Sequence, residues 1–123
     1  MKYLILIHSN PHFQERWDAL TDAERENFGR GHLALSAELA DTGELVVSEG
    51  LVDPAQATWV RSRGGETMTS DGPFAEVKEH LAGFYLVDCE TAERAVEIGA
   101  RIPDAVWGLV EVRAVLDMSG WDM

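Results

Sequence analysis

Cysteine and basic residues are scarce in this sequence. A single cysteine, Cys89, among 123 residues excludes an internal disulfide bond and a Cys-rich zinc site, and it fits a reducing compartment. Only 10 Lys and Arg residues stand against 22 Asp and Glu residues, which leaves a formal net charge of -12. Nucleic acids and anionic membrane surfaces both attract clustered basic side chains, so we expect neither as a partner.

Long hydrophobic runs are also missing. The apolar run near the N-terminus covers only residues 3–7, which is too short to span a membrane, and no signal-peptide cleavage region follows it. We therefore expect a cytoplasmic protein. The hydrophobic content of 46% and the charged content of 26% are typical of globular proteins, and the length suits one domain over residues 1–123.

Motifs for cofactors and metal ions are absent as well. Gly64 and Gly65 lack the spacing of nucleotide-binding glycine motifs, and no serine lies in a GxSxG context. His8 and His12 are four residues apart, but Pro11 and the end of a predicted strand separate them. The carboxylates form no calcium-loop pattern. The sequence therefore predicts no cofactor and no metal site.

Hydrophobic periodicity predicts an α+β fold. A capping-box pattern from Thr21 to Glu24 marks a helix start, and the pair Gly64-Gly65 marks a hairpin turn. The last predicted helix carries a small-residue stripe, namely Ala92, Ala95, Val96 and Gly99. The predicted strands are 2–8, 44–52, 83–88 and 107–116, the helices are 12–20, 21–41 and 92–102, and the hairpin arms are 58–63 and 66–70.

The order of these elements is βαββαβ with an extra β-hairpin, which is the ferredoxin-like plan. The first strand carries Leu4 and Leu6 on one face and Tyr3, Ile5 and Ile7 on the other. The two helices of this plan, 21–41 and 92–102, can cover only one face of the sheet, so the second apolar face needs another layer. We expect a second copy of the sheet to supply it, and therefore predict a homodimer.

Residues 70–84, with the sequence SDGPFAEVKEHLAGF, resemble the signature of the DGPF branch of the YCII-related family. Residues 43–51, 100–103 and 110–113 resemble the flanking parts of that family, and residues 30–34 resemble its helix segment with a proposed catalytic histidine. The resemblance implies a ferredoxin-like dimer that forms a dimeric α/β barrel. It also implies a site using a His and an Asp. One relative removes chloride from a hydroxyquinone, and DGPF genes are often found beside genes for alternative sigma factors.

His32 and Asp71 are the predicted catalytic residues. His32 lies on the apolar stripe of the helix 21–41 and would point toward the sheet. Histidine is the usual general acid or base near neutral pH. The alternative is a buried neutral histidine that bonds a backbone carbonyl. Asp71 begins an Asp-Gly-Pro turn, which either is only a stable turn or aims the carboxylate at His32 or at a substrate.

Five further residues are predicted to bind a small-molecule substrate: Gly72, Phe74, Glu76, Lys78 and Arg113. Four of them belong to the turn 71–74 and to the polar stretch after it, where Lys78 could hold an anionic group and Glu76 could take a proton. The alternative is a solvated charged surface. Arg113 lies beside Glu111 on the polar face of the last strand, and the alternative there is a salt bridge.

These residues support two functions. The first is a cofactor-independent small-molecule enzyme of the lyase, isomerase or dehalogenase type, in which His32 moves a proton with an acidic partner. The second is a non-catalytic dimer that binds a ligand or assists a transcription regulator as its protein partner. The sequence leaves open whether the protein is an enzyme, and it names neither substrate nor reaction.

Overall fold

The computed structural model describes residues 1–72 and 79–119. No helix in these two ranges is long and apolar enough to cross a membrane. Short 3-10 turns lie at Pro54–Gln56 and Pro103–Trp107. The strands are β1 (Lys2–Ser9), β2 (Leu45–Gly50), β3 (Thr58–Arg63), β4 (Glu66–Asp71), β5 (His80–Asp88) and β6 (Val110–Ala114), and the helices are α1 (Pro11–Ala19), α2 (Asp22–Thr42) and α3 (Ala92–Arg101).

Four strands form an antiparallel sheet in the order β2-β5-β1-β6, with the hydrophobic β1 in an inner position. β3 and β4 form a separate two-stranded hairpin, as the sequence predicts. This α+β arrangement is compatible with the ferredoxin-like plan. The last strand is shorter than the predicted 107–116, because Trp107 belongs to the 3-10 turn and Gly108 adopts a left-handed conformation with φ of 73°.

Capping interactions set the ends of α2 where the sequence places them. The Thr21 hydroxyl accepts a hydrogen bond from the backbone N–H of Glu24, and the Glu24 carboxylate accepts one from the N–H of Thr21. At the other end Gly43 has a φ of 82°, a conformation that costs glycine little. The helix therefore runs unbroken for 21 residues and carries His32 near its middle.

The core lies between one face of the sheet and the helices α2 and α3. Tyr3, Ile5 and Ile7 alternate along β1 toward this side, and each has less than a tenth of its surface exposed. Leu35 and Leu39 of α2 cover them. Burial of these side chains supplies most of the driving force for folding.

The buried stripe of α3 differs from the predicted one. Val96 is 58% exposed, whereas Ile98 is fully buried with Ala95 and Gly99. Both stripes have helical spacing, and the packing of α3 against the sheet selects between them. Gly99 allows that docking, because a Cβ atom there would lie 3.2 Å from a methyl carbon of Val112.

The opposite face of the sheet lacks a covering layer in this chain. Leu4 pairs with Leu86 across β1 and β5, and Leu6 pairs with Phe84, and all four side chains are only half-buried. The hairpin β3–β4 is exposed along its whole length. An isolated two-stranded hairpin has marginal stability in water.

A salt bridge joins the start of β2 to α3. The guanidinium of Arg94 donates two hydrogen bonds to the Glu44 carboxylate, at 2.8 and 2.9 Å. Chiefly because of these bonds, and despite partial burial, the pKa of Glu44 falls to about 2 from its ordinary value of 4.5. Ionised Glu44 therefore stabilises the folded state above pH 4.5, and this contribution disappears as the pH falls toward 2.

We predict that the variant Glu44→Gln loses stability mainly at neutral pH. The free energy of unfolding, measured by urea titration, should fall more steeply between pH 5 and pH 2 in the wild type than in the variant. The two curves should approach each other near pH 2, because Glu44 is then about half protonated in the folded state and almost fully protonated in the unfolded state. Parallel curves over that range would contradict the role of the Glu44–Arg94 pair.

Candidate functional site

His32 lies on the inner side of α2, and its ring is enclosed by aromatic neighbours. The ring centroid is 5.4 Å from that of Phe28 and 5.9 Å from that of Tyr85, with the Tyr85 ring stacked at 25°. About a quarter of the His32 side chain is exposed. The aromatic contacts therefore hold the His32 ring in one orientation, while part of the side chain stays accessible to solvent.

Both ring nitrogens of His32 have side-chain partners. Nε2 lies 2.8 Å from Oδ1 of Asp104, and Nδ1 lies 2.8 Å from the hydroxyl oxygen of Tyr85. A carboxylate accepts hydrogen bonds, so Nε2 carries a proton, and in the neutral ring Nδ1 is the acceptor. The Tyr85 hydroxyl then has two acceptors within reach, Nδ1 at 2.8 Å and the backbone carbonyl oxygen of His32 at 3.3 Å. We call this arrangement the Asp104–His32–Tyr85 chain. Its geometry matches that of catalytic triads, in which a carboxylate orients a histidine and the histidine contacts a hydroxyl or thiol group.

A close approach between α2 and the 3-10 turn Pro103–Trp107 brings Asp104 to His32. A Cβ atom at Gly31 would lie 2.9 Å from the ring carbon Cγ of Pro103, so a larger residue at position 31 would force this contact apart. Asp104 follows Pro103 directly and has only 3% of its surface exposed. A carboxylate at this depth needs a donor, and His32 supplies it.

Tyr85 comes from β5, on the sheet face that points toward the helices. Only 3% of its surface is exposed, and burial is the main reason that its pKa is raised above 10. The negative charge of Asp104 raises the pKa further, while a hydrogen bond with Ser36 acts in the opposite direction. The phenol is therefore protonated at neutral pH unless a neighbour takes its proton.

A cavity of about 300 Å³ opens beside this chain, between α2 and the adjacent ends of β2 and β5. Within it the hydroxyl groups of Ser36 and Ser48 lie 3.2 Å apart. This volume suits a small molecule. Its lining includes the polar residues His32, Ser36, Ser48, Tyr85 and Asp104 and the apolar residues Ile7, Leu33 and Ala82. Glu49 and Phe84 also border it, but they pair with each other across β2 and β5 at positions whose side chains belong to the opposite face of the sheet.

Asp71 lies away from this cavity. It ends β4, pairs with Thr58, and is exposed. Gly72 follows with a φ of 76°, and its N–H donates to the carbonyl of Ala57 at the base of the hairpin. The carboxylate that orients His32 is therefore Asp104 and not Asp71, which corrects the pairing expected from the sequence.

Arg113 is not brought to His32 either. Arg113 is on β6 opposite Leu4, on the uncovered face of the sheet, and it lies 3.6 Å from Glu111. Glu111 also contacts Nε2 of His8 at 2.8 Å. Phe74, Glu76 and Lys78 lie outside the described residues.

Metal coordination has no support in the described part of the chain. Within residues 1–72 and 79–119, no group of three or more His, Cys, Asp or Glu side chains could hold a metal ion. Cys89 is buried, and burial is the main reason that its pKa is raised, so its thiol is a poor nucleophile.

The sequence singles out His32 as a candidate, but not its two partners Tyr85 and Asp104. These two residues are 53 and 72 positions away from His32 along the chain, so no local spacing connects them. One signal was present: Tyr85 lies inside an apolar strand, and a buried tyrosine hydroxyl normally requires a hydrogen-bond partner. Asp104 after Pro103 carries no comparable signal.

Comparison with known proteins supports a family relationship over nearly the whole chain. The family model of the YCII-related domain matches residues 1–119. An uncharacterised protein of Rhizobium meliloti (strain 1021) is 32% identical over 105 residues, which cover 85% of this chain and 82% of that protein.

Two His–carboxylate pairs in this structure have the same 2.8 Å separation but differ in burial. The carboxylate of Asp104 is 5% exposed, and that of Glu111 is 45% exposed. We predict that Asp104→Ala lowers the free energy of unfolding by about 1–3 kcal/mol, because a charge-assisted bond to His32 is lost in a dry environment. Glu111→Ala should cost less than about 1 kcal/mol, because the pair with His8 is exposed.

Chemical denaturation of both variants at pH 7 measures this difference. Equal losses in the two variants would show that the burial of Asp104 adds nothing to its bond with His32.

Proposed function

The chain belongs to the YCII-related domain family, and from that membership we propose that it is a cofactor-independent enzyme that moves a proton on a small molecule. The observation that carries the proposal is the Asp104–His32–Tyr85 chain, which has two bonds of 2.8 Å and lines a cavity of ligand size. Lyase, isomerase and dehalogenase reactions share a step in which a base removes a substrate proton.

The Asp104–His32–Tyr85 chain supplies such a base through two proton transfers. The Tyr85 proton passes to Nδ1 of His32, and the carboxylate of Asp104 stabilises the resulting imidazolium through Nε2–H. The phenolate oxygen of Tyr85 then accepts a proton from the substrate, which restores the phenol and leaves an anionic intermediate beside the imidazolium. Return of the proton from Nδ1 to the intermediate restores neutral His32 and completes an isomerisation.

A non-catalytic ligand-binding or transcription-accessory module is the second candidate. One observation favours it: both nitrogens of His32 are already engaged by protein side chains. A histidine in this position also serves simply to satisfy a buried carboxylate. The two candidates differ in whether Tyr85 exchanges protons with a bound molecule.

We further propose that the working unit is a homodimer of the dimeric α/β barrel type, and that the chain is of the DGPF branch. The uncovered sheet face supports the dimer, because Leu4, Leu6 and Leu86 form a continuous apolar strip that water contacts in a single chain. A second sheet packed against it would remove this strip from water. The motif in residues 70–84 supports the branch.

We predict a solution mass of about 27 kDa by light scattering, twice the 13.6 kDa of one chain. The variant Leu4→Asp should shift this mass toward 13.6 kDa, because it places a charge in the apolar strip. Val106→Asp is the matched control, since Val106 is 81% exposed on the 3-10 turn and not on the sheet. A monomeric wild type, or equal masses for the two variants, would contradict this interface.

The proton-transfer function is testable with 5-nitrobenzisoxazole. This uncharged probe loses its C3 proton to a base while its N–O bond breaks, and the coloured product is a cyanonitrophenolate. We predict that the wild type accelerates this reaction and that Tyr85→Phe and His32→Gln each lower kcat/KM by roughly 100-fold.

The two candidate acids provide the control for this experiment. Asp104→Asn should reduce kcat/KM, because the amide no longer stabilises the imidazolium by its charge, whereas Asp71→Asn should leave it unchanged. Full activity of Tyr85→Phe would contradict the proposed role of the phenol. Absence of acceleration by the wild type would favour the non-catalytic module.

A further inference from the structure

Two serine hydroxyl groups line the cavity of about 300 Å³ beside the Asp104–His32–Tyr85 chain, and their oxygens lie 3.2 Å apart. Ser36 follows His32 by one turn of α2, so the two side chains share a face of the helix. Ser48 lies directly opposite Tyr85 across β2 and β5, and residues in such positions place their side chains on the same face of a sheet. The serine pair therefore lies next to the phenol that is proposed to remove a substrate proton.

The serine pair has one proton more than its mutual bond uses. A hydroxyl group carries one proton and two lone pairs, and its proton can rotate toward different acceptors. One of the two protons lies between Ser36 and Ser48, and the other can point elsewhere. In the described part of the chain, the other side chain that bonds the pair is Tyr85, through Ser36. The second proton therefore points either at Tyr85 or at a molecule in the cavity.

The side chains that point into the cavity carry no unpaired charge. Asp104 is paired with His32, and the side chain of Glu49 belongs to the opposite face of the sheet. No Lys or Arg is among the described residues that line the cavity. A ligand carboxylate or phosphate is costly to bury without such a cation, whereas a hydroxyl proton suits a neutral carbonyl oxygen. The serine pair thus favours an uncharged acceptor.

From this arrangement we infer that Ser36 and Ser48 bind the carbonyl oxygen of an uncharged substrate that carries its acidic C–H on the carbon next to that carbonyl. The inference rests on the proposed function and names its substrate class, which is that of enolisable ketones, aldehydes and esters. In such a molecule the hydrogen-bearing carbon is bonded directly to the carbonyl carbon. One small ligand can therefore place its C–H at Tyr85 and its oxygen at the serine pair, because Ser36 bonds both Ser48 and Tyr85.

Proton removal moves negative charge from the phenolate of Tyr85 to the substrate oxygen. The phenolate accepts the proton, the electron pair of the broken C–H bond forms a C=C bond, and the π electrons of C=O move to oxygen, which gives an enolate. Before this step Ser36 donates to the phenolate and Ser48 donates to Ser36. After it both hydroxyls rotate, so that Ser36 donates to Ser48 and Ser48 donates to the enolate oxygen. A donor placed where charge develops lowers the barrier to its formation.

A pair of probes tests the binding of the carbonyl oxygen. 2-Indanone and indane share one bicyclic skeleton and differ in the carbonyl group. Each is titrated at pH 7 into protein with carbon-13-labelled tyrosine, which gives signals from Tyr3 and Tyr85 alone, and the Tyr85 signal is followed by NMR. We expect Ser48→Ala to raise the dissociation constant of 2-indanone about 5-fold and that of indane less than about 2-fold, because only the ketone loses a hydrogen bond.

Two further variants provide the controls for the binding test. Ser48→Thr keeps the hydroxyl and should retain most of the affinity for 2-indanone. Ser62→Ala removes a hydroxyl from the exposed strand β3 and should change neither dissociation constant. The inference is overturned if Ser48→Ala leaves the affinity for 2-indanone unchanged or weakens both probes equally, and also if 2-indanone does not shift the Tyr85 signal.

Deuterium exchange of 2-indanone in D₂O separates this inference from the proposed function. The hydrogens beside its carbonyl are exchanged when Tyr85 removes one and a deuteron returns from Nδ1 of His32. We expect the wild type to accelerate this exchange and Ser48→Ala to slow it by at least roughly 10-fold. Elimination of 5-nitrobenzisoxazole without exchange, or exchange that Ser48→Ala leaves unchanged, overturns the inference while the proposed function stands. Acceleration of neither reaction by the wild type overturns both.

Discussion

A carboxylate with 3% of its surface exposed is costly unless it is paired, and Asp104 is the residue in this position. Its bond to His32 ties three parts of the fold together: the middle of α2, the inner strand β5 through Tyr85, and the 3-10 turn after α3. The packing of α2 on that turn depends on Gly31, where a side chain would collide with Pro103. The same bond therefore stabilises the fold and orients His32, which lines the cavity.

The two faces of the sheet have different structural roles. The face toward the helices holds the core and the Asp104–His32–Tyr85 chain, so its residues are rigidly packed. The other face holds an apolar strip flanked by His8, Glu111 and Arg113, which are paired with one another at its edge. In the proposed dimer these polar residues would border the interface, whereas the proposed reaction uses only groups on the core side.

Local patterns in the sequence were sufficient for most of the secondary structure. The capping box at Thr21, the left-handed Gly43 and the hairpin at Gly64-Gly65 all depend on residues within a few positions of one another, so they can be recognised without the fold. The stripe of α3 could not be assigned in this way. Val96 and Ile98 both fit a helical period, and the packing of α3 against the sheet decides that Ile98 is buried.

The sequence by itself determined that residues 1–123 carry the pattern of an α+β chain with an apolar second sheet face, and that His32 lies on the inner side of a capped helix. Those conclusions follow from residue periodicity, which is a local property. Only the tertiary structure decided that Asp104 rather than Asp71 meets His32, and that Tyr85 completes the chain. The reason is physical, since these groups are joined by the packing of distant elements. In the sequence alone, an Asp-Gly-Pro motif is as suitable a source of the carboxylate as an aspartate that follows Pro103.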